Sequence, residues 1–125
     1  MKQGLILFAH GARDPRWAEP FLRLRDRVAV QSPETPVAVA FLEHLPPDLT
    51  AAADDLARQG ALAIRIVPLF FGRGGHLRED FPRVVAAARG AHPNLRFEVT
   101  GAAGEDDDVL ATLARFALQA PADPA

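Results

Sequence analysis

The sequence predicts a small doubly wound α/β domain, with a four-stranded parallel sheet and helices on both faces. Short apolar runs alternate along the chain with stretches whose apolar residues recur at helical spacing. The first three runs are almost continuously apolar, which is typical of strands covered by helices on both faces. The runs are LILFA (Leu5–Ala9), VAVAFL (Val37–Leu42), LAIRIVPLFF (Leu62–Phe71) and LRFEVTG (Leu95–Gly101).

Each run is followed by a stretch whose apolar residues fall on one face of a helix. The first stretch begins at Asp14 and Pro15, an N-cap acceptor followed by a residue suited to the first helical position. The second, from Pro47 to Gln59, has the weakest pattern. The apolar faces contain, in chain order, Trp17, Phe21, Leu24 and Val28; Leu49, Ala52, Ala53 and Leu56; Phe81, Val84, Val85 and Ala88; and Val109, Leu113 and Phe116.

Length and composition bound the organisation of the chain. Its 125 residues, 49% of them hydrophobic, suffice for one packed core and are too few for two ordinary domains. We expect one domain over residues 1–118 and a disordered tail over residues 119–125, where the sequence is rich in proline and alanine. A net charge of -2, from 14 basic and 16 acidic residues, gives no reason to expect a nucleic-acid or membrane partner.

Cysteine is absent, which excludes disulfides, thiolate nucleophiles and thiolate metal ligands. Any metal ion must therefore bind to nitrogen and oxygen. The apolar start GLILFA is too short for the core of a signal peptide or for a membrane span. We expect a soluble cytoplasmic protein, because a chain without cysteine is compatible with a reducing compartment.

Two histidines stand in matching positions. His10 follows the first apolar run, and His76 follows the third run and the sequence GRGG. Each lies in a predicted strand-to-helix turn, and sites in such folds lie at the carboxyl ends of the strands. A lone histidine there is more often bonded to a backbone carbonyl at the edge of the core. Asp14 and Asp80, four residues beyond, can cap the following helices or bond the second imidazole nitrogen, and capping is the more frequent role.

A carboxylate can complete a metal site with these histidines. Two imidazoles at neighbouring strand ends suit an open site for Co2+, Ni2+, Fe2+ or Zn2+. Glu43 ends the second run and can supply an oxygen ligand, although a solvated residue before the ProPro turn is an equally good interpretation. His44 is its neighbour, and if the strand continues through both residues their side chains face opposite ways.

Anions are a second ligand class that the turns suggest. Glycine amides before a helix attract anions, so GRGGH at residues 72–76 is a candidate phosphate cradle, but it lacks the P-loop ending and the dinucleotide glycine spacing. The acidic residues 105–108 are predicted to open the last helix rather than to bind metal. Arginines flank the two histidines and can form a basic rim for an acidic ligand, or be ordinary solvated surface. They are Arg13, Arg16, Arg73 and Arg78.

Three motifs resemble those of the small sirohydrochlorin chelatases, the class II tetrapyrrole chelatases. They are LILFAHGARDPRW, VAFLEHLPPDL and IVPLFFGRGGHLREDFP, each at a predicted strand end. These enzymes insert cobalt, iron or nickel into a tetrapyrrole on the routes to cobalamin, siroheme and related cofactors. The resemblance covers Gly4 to about Arg89, and the last strand and helix fit in pattern only. Ala12 departs from the family, which usually has serine after His-Gly.

The resemblance implies a chelatase-like half domain and an ATP-independent, metal-inserting lyase. It implies that His10 and His76 bind the metal and assist loss of the pyrrole protons, and that Glu43 contacts the incoming ion. Co2+ is the first choice of metal substrate, with Fe2+ or Ni2+ as alternatives, and no further cofactor is implied. Larger members contain two such halves around the substrate, which implies a homodimer here. The residues expected to contact the tetrapyrrole are Arg13, Arg73, Arg78, Gly74 and Gly75.

The chemistry is compatible with these residues. Insertion removes two pyrrole protons while the ion exchanges water for ring nitrogen, and an imidazole near its reference pKa of about 6.5 can act as ligand or base. Two rivals stay open. A metal or tetrapyrrole carrier would use the same ligands without turnover, and a phosphate-ester enzyme would use the GRGGH loop.

Overall fold

The computed structural model describes residues 2–72, 74–75 and 77–123, and it confirms the predicted α/β fold. The described part of the chain forms one parallel sheet with strand order β2-β1-β3-β4. The two central strands, β1 and β3, carry the first and third apolar runs. The strands are β1 (Gln3–Ala9), β2 (Val37–Phe41), β3 (Ala63–Pro68) and β4 (Arg96–Val99).

Each strand leads into a helix. Two of the helices are preceded by short 3-10 turns, Pro15–Ala18 and Ala103–Glu105. Asp14 caps the first turn by accepting a hydrogen bond from the backbone N–H of Arg16, which confirms the predicted helix start. The helices are α1 (Glu19–Gln31), α2 (Leu49–Arg58), α3 (Leu77–Ala91) and α4 (Asp107–Gln119).

The larger core lies between the sheet and helices α2 and α3. Phe8 and Ile66 are fully buried from the sheet side, and Leu56 is fully buried from α2. All four residues of the predicted α2 face are buried. The helix with the weakest pattern in the sequence is thus the one with the most buried residues. The predicted α3 face also packs on this core.

The second core covers the opposite sheet face, beneath the 3-10 turn and α1. Trp17 and Phe21 pack there as predicted, with ring centroids 4.7 Å apart. Leu22 joins them, whereas Leu24 is 37% exposed, contrary to the predicted face. Leu24 lies three residues after Phe21 in the same helix, about 60° around the helix axis, which places it at the rim of the packed face.

Helix α4 departs most from the expected packing. None of its residues is buried, and Phe116 is 67% exposed, so its predicted apolar face does not pack against the core. The helix follows the edge strand β4 and chiefly contacts the 3-10 turn before it. Its apolar side chains therefore stay available to another surface.

The predicted end of the domain at residue 118 falls within α4, which ends at Gln119. The single domain and the disordered tail stay predictions, since residues 124 and 125 lie outside the described ranges. Within those ranges, every helix is too short or too polar to cross a bilayer.

Candidate metal-binding site at the carboxyl edge of the sheet

The carboxyl end of β1 is held on both sides. The N–H of Leu42 donates to the carbonyl of Ala9 at 2.9 Å, and the N–H of Leu69 donates to the carbonyl of Phe8 at 2.8 Å. Sheet-like hydrogen bonding therefore continues past the ends of β2 and β3. His10 follows directly, so its backbone leaves a rigid edge between the two neighbouring strands.

The loop after His10 packs closely against the loop after β2. The N–H of Glu43 donates to the carbonyl of His10 at 3.1 Å. Gly11 has a φ of 94°, in the region that favours glycine, and a Cβ atom there would overlap the carbonyl oxygen of Glu43. This approach positions the Glu43 side chain beside the His10 ring.

His10 and Glu43 form an imidazole–carboxylate pair. Nε2 of His10 lies 3.1 Å from Oε1 of Glu43, and which atom carries the proton depends on the tautomer. The two side chains are 36% and 45% exposed, so both can reach a ligand arriving from solvent. The structure thus brings together two of the residues that the sequence singled out.

His44 turns back toward the same carboxylate. Strand β2 ends at Phe41, two residues before Glu43. The side chains of Glu43 and His44 therefore do not alternate between the two faces of the sheet, as they would if the strand continued through both. His44 has a φ of 71°, and the N–H of Leu45 donates to the carbonyl of Glu43 at 2.9 Å, which closes a tight turn around His44. Nε2 of His44 consequently lies 3.8 Å from Oε1 of Glu43.

His76 and Arg73 lie outside the described residues. The loop that contains them leaves β3, the strand next to β1, and α3 begins at Leu77. Chain neighbours aside, no atom of the described residues lies within 4 Å of where a Cβ atom on Gly72, Gly74 or Gly75 would be. Gly75 has a φ of 59°, and its carbonyl accepts a hydrogen bond from the N–H of Arg78 at 3.3 Å.

The base of this loop is anchored in the larger core. The rings of Phe8, Phe70 and Phe81 pack together, with centroid distances from 5.2 to 6.0 Å. The N–H of Gly104 donates to the carbonyl of Phe70 at 2.7 Å, and a Cβ atom on Gly104 would overlap the backbone of Phe71. The loop therefore starts from a fixed point beside the site.

The two aspartates differ in role. Asp14 caps the first turn and also accepts hydrogen bonds from the Arg16 guanidinium, which lowers the pKa of that carboxyl below its usual value. Asp80 lies in the first turn of α3 and forms an ion pair with Arg83 at 3.9 Å. Capping is therefore confirmed at Asp14 and was wrong at Asp80, because α3 begins three residues before it.

The predicted basic rim is divided. Arg13 and Arg78 are exposed near the two loops, while Arg16 forms an ion pair with Asp14.

The acidic run at residues 105–108 opens the last helix as predicted, since Asp106 caps α4 by accepting a hydrogen bond from the N–H of Val109 at 3.1 Å. Over the described ranges, no three His, Asp or Glu side chains are placed to hold one metal ion together.

Two features of the site escaped the sequence interpretation. The close approach of Gly11 to Glu43 depends on a contact between distant loops, although a glycine directly after a strand-end histidine was a usable signal. The inward turn of His44 depends on where β2 ends, and strand ends are poorly marked in sequence.

Comparison with known proteins identifies the family. The CbiX family model matches residues 4–120. The sirohydrochlorin cobaltochelatase of Methanothermobacter thermautotrophicus is 32% identical over 90 residues, which span 72% of this chain and 62% of that protein. The protein of the same name from Saccharolobus solfataricus is 33% identical over 82 residues, or 66% of this chain and 62% of that protein. The chain thus spans less than two thirds of the length of these relatives.

Solved structures agree with the fold. A CbiX protein from Marinobacter aquaeolei VT8 has a TM-score of 0.80 and 29% identity, with 95% of this chain and 93% of that chain covered. The sirohydrochlorin chelatase SirB from Bacillus subtilis subspecies spizizenii, solved in complex with cobalt, has a TM-score of 0.81 at 22% identity. That match covers 96% of this chain and 51% of SirB, and it shows a shared fold. On the family match and the fold together, this chain belongs to the CbiX family.

Proposed function

We propose that this protein inserts a divalent metal ion into sirohydrochlorin, with Co2+ as the first choice and Fe2+ or Ni2+ as alternatives. The names of the relatives support the reaction, and the observation that carries it is the His10–Glu43 pair at the carboxyl edge of the sheet. Two ligand atoms that each lie about 2.1 Å from one ion, at a right angle, are about 3 Å apart. The separation of 3.1 Å between Nε2 and Oε1 suits such a pair.

The reaction needs a ligand and a proton acceptor at one place. The ion gains four ring nitrogens, and two pyrrole protons leave as it does so. In our proposal His10, His76 and Glu43 bind the ion as it sheds water. The two imidazoles accept the pyrrole protons as the ion leaves them for the ring nitrogens. Neutral imidazole can fill either role near neutral pH.

The surface around the pair suits a large, flat, acidic ligand. Among the described residues, chain neighbours aside, no atom lies within 4 Å of where a Cβ atom on the loop glycines Gly74 and Gly75 would be, which leaves their backbone open to a ligand. Arg13 and Arg78 are exposed and can pair with substrate carboxylates. We assign the same role to Arg73, on the resemblance of its motif. The tetrapyrrole is the small-molecule partner, and we propose no cofactor beyond the metal substrate.

We further propose that two copies of the chain form the working unit. The chain matches about half of the B. subtilis SirB chain, so two copies of the fold would equal that chain in size. A second copy would supply the other wall of a cleft for the macrocycle. It would also cover the apolar side chains that α4 leaves exposed, among them Phe116 and Leu118.

We propose the cytoplasm as the compartment, because a chain without cysteine needs no oxidising environment.

Cobalamin and siroheme synthesis both include insertion of a metal ion into this macrocycle, and the identity of the inserted metal decides which of the two cofactors is made. The affinity of nitrogen and oxygen sites for divalent metals follows the Irving–Williams order whatever the protein. The metal supply of the cell therefore decides much of which metal is inserted.

A side-by-side insertion assay tests the function. Protein, sirohydrochlorin and Co2+, Fe2+ or Ni2+ are mixed without oxygen, and the absorption spectrum of the macrocycle is followed. We expect a rate above the spontaneous one for at least one metal, without ATP. A carrier would bind the components and leave the spontaneous rate unchanged. A phosphate-ester enzyme would be stabilised by phosphate and indifferent to the tetrapyrrole.

A further inference from the structure

His44 has a backbone conformation that calls for an explanation. Over the described ranges it is the one non-glycine residue with a positive φ, at 71°. This region is costly for a residue with a Cβ atom, although histidine adopts it more often than most. Such strain persists where the surrounding structure holds it, and it is concentrated at functional sites.

The strained turn has one clear effect on the side chains. Extended backbone would point Glu43 and His44 to opposite sides, whereas the turn closed by the Leu45 N–H and the Glu43 carbonyl brings both to one side. The His44 ring is 36% exposed, the same fraction as the His10 ring. Oε1 of Glu43 therefore has two partly exposed imidazoles near it, at 3.1 and 3.8 Å.

The distances allow each imidazole to share an ion with Glu43. Two atoms bound to one ion at about 2.1 Å can be at most about 4.2 Å apart. Oε1 of Glu43 lies 3.1 Å from Nε2 of His10 and 3.8 Å from Nε2 of His44, so both pairs fall within that span. The described side chains include no group of three that could hold one ion, so we treat His10–Glu43 and His44–Glu43 as two separate pairs.

We propose that His44 is a metal-capture ligand. Together with Glu43 it takes a divalent ion from solvent and holds it while no tetrapyrrole is bound. When the tetrapyrrole arrives, the ion moves to the His10–Glu43 pair while Glu43 stays bound. The step exchanges one neutral imidazole for another, with water filling the vacated position, so it needs no oxidant, reductant or net proton transfer. This inference rests on the proposed function only for what happens to the ion afterwards.

The test is His44→Asn, with His92→Asn as the matched control. Asparagine tolerates a positive φ, so the variant is expected to fold. Its unfolding temperature should be close to that of the wild type. His92 follows α3 and precedes β4, at the opposite edge of the sheet. Two measurements are made: equilibrium binding of Co2+ to the protein alone, and the insertion rate as a function of Co2+ concentration.

We expect His44→Asn to weaken Co2+ binding by about tenfold or more, since removing even a partner of a metal ligand costs about 10–100-fold. The KM for Co2+ should rise by a similar factor while kcat at saturating Co2+ stays unchanged. His44→Gly, which also relieves the backbone strain, should give the same loss of affinity, and His92→Asn should change neither quantity.

Unchanged Co2+ affinity and KM in His44→Asn would overturn the assignment. A fall in kcat at saturating Co2+ would also overturn it, since His44 would then act in the insertion step itself. If the wild type inserts no metal but His44→Asn still binds Co2+ about tenfold more weakly, the assignment of His44 as a metal ligand is retained and the proposed function is wrong.

Discussion

The carbonyl oxygen of Glu43 occupies the space that a side chain on Gly11 would need. The two loops are also joined by the hydrogen bond from the Glu43 N–H to the His10 carbonyl, at 3.1 Å. Together these contacts set the spacing of the two backbone segments that carry the Glu43 carboxylate and the His10 ring. The glycine after His10 is therefore a condition of the site's geometry.

Substitution of Gly11 should disturb both stability and the site. In Gly11→Ala, the positive φ alone should cost about 1–3 kcal/mol of unfolding free energy, and the overlap with Glu43 adds to it. Urea unfolding measures the loss. Gly90→Ala is the matched control, because Gly90 lies in α3 with open space around it, and it should gain about 0.5–1 kcal/mol. Equal stability of Gly11→Ala and the wild type would show that the loops do not pack as described.

Glu43 should matter more for metal binding than His44 does. Glu43→Gln keeps the shape of the side chain but removes the charge that both imidazole pairs use. We expect Co2+ affinity to fall about 10–100-fold, more than in His44→Ala. Calorimetric titration with Co2+ compares the two variants. A larger loss in His44→Ala would mean that the carboxylate is not shared in this way.

The buried face of α2 gives a stability test. Leu56 is fully buried against the sheet, so Leu56→Ala should cost about 2–5 kcal/mol. Leu24 is 37% exposed on α1, and Leu24→Ala should cost less than about 1 kcal/mol. Chemical denaturation of both variants provides the comparison. A similar cost at the two positions would contradict the described packing of α1 and α2.

The parts of the fold that local chemistry dictates were predictable. Continuous apolar runs gave the strands, and Asp14 with Pro15 gave the helix start, because burial and capping act over a few residues. Leu24 was predicted inside and lies at the rim of α1, because helical spacing shows which residues share a face and not how much of that face the sheet covers. Which of Glu43 and His44 faces the site stayed open, because their orientations depend on where β2 ends. The exposure of Phe116 depends on how α4 leaves the edge strand, which no periodicity encodes.

The proposed homodimer makes a prediction about mass and salt. Light scattering should give twice the monomer mass of 13.5 kDa, and Phe116→Asp should shift the protein toward the monomer because it places charge on the exposed face of α4. Insertion should slow as salt rises, since a Debye length of about 10 Å at 0.1 M screens the attraction between the arginines and substrate carboxylates. A fully active monomer whose rate ignores ionic strength would contradict the charged cleft between two copies.

The central claim is that the strand-end histidines carry out metal insertion, and the rate of Co2+ insertion in His10→Ala tests it most directly. His76→Ala is measured beside it, and His92→Ala serves as the control at the opposite edge of the sheet. Because the His10 ring is partly exposed, circular dichroism should show an intact fold. We predict that both site variants lose about 100-fold or more in rate, the scale of a lost acid–base group, while His92→Ala keeps the wild-type rate. A near-wild-type rate in folded His10→Ala would contradict the account.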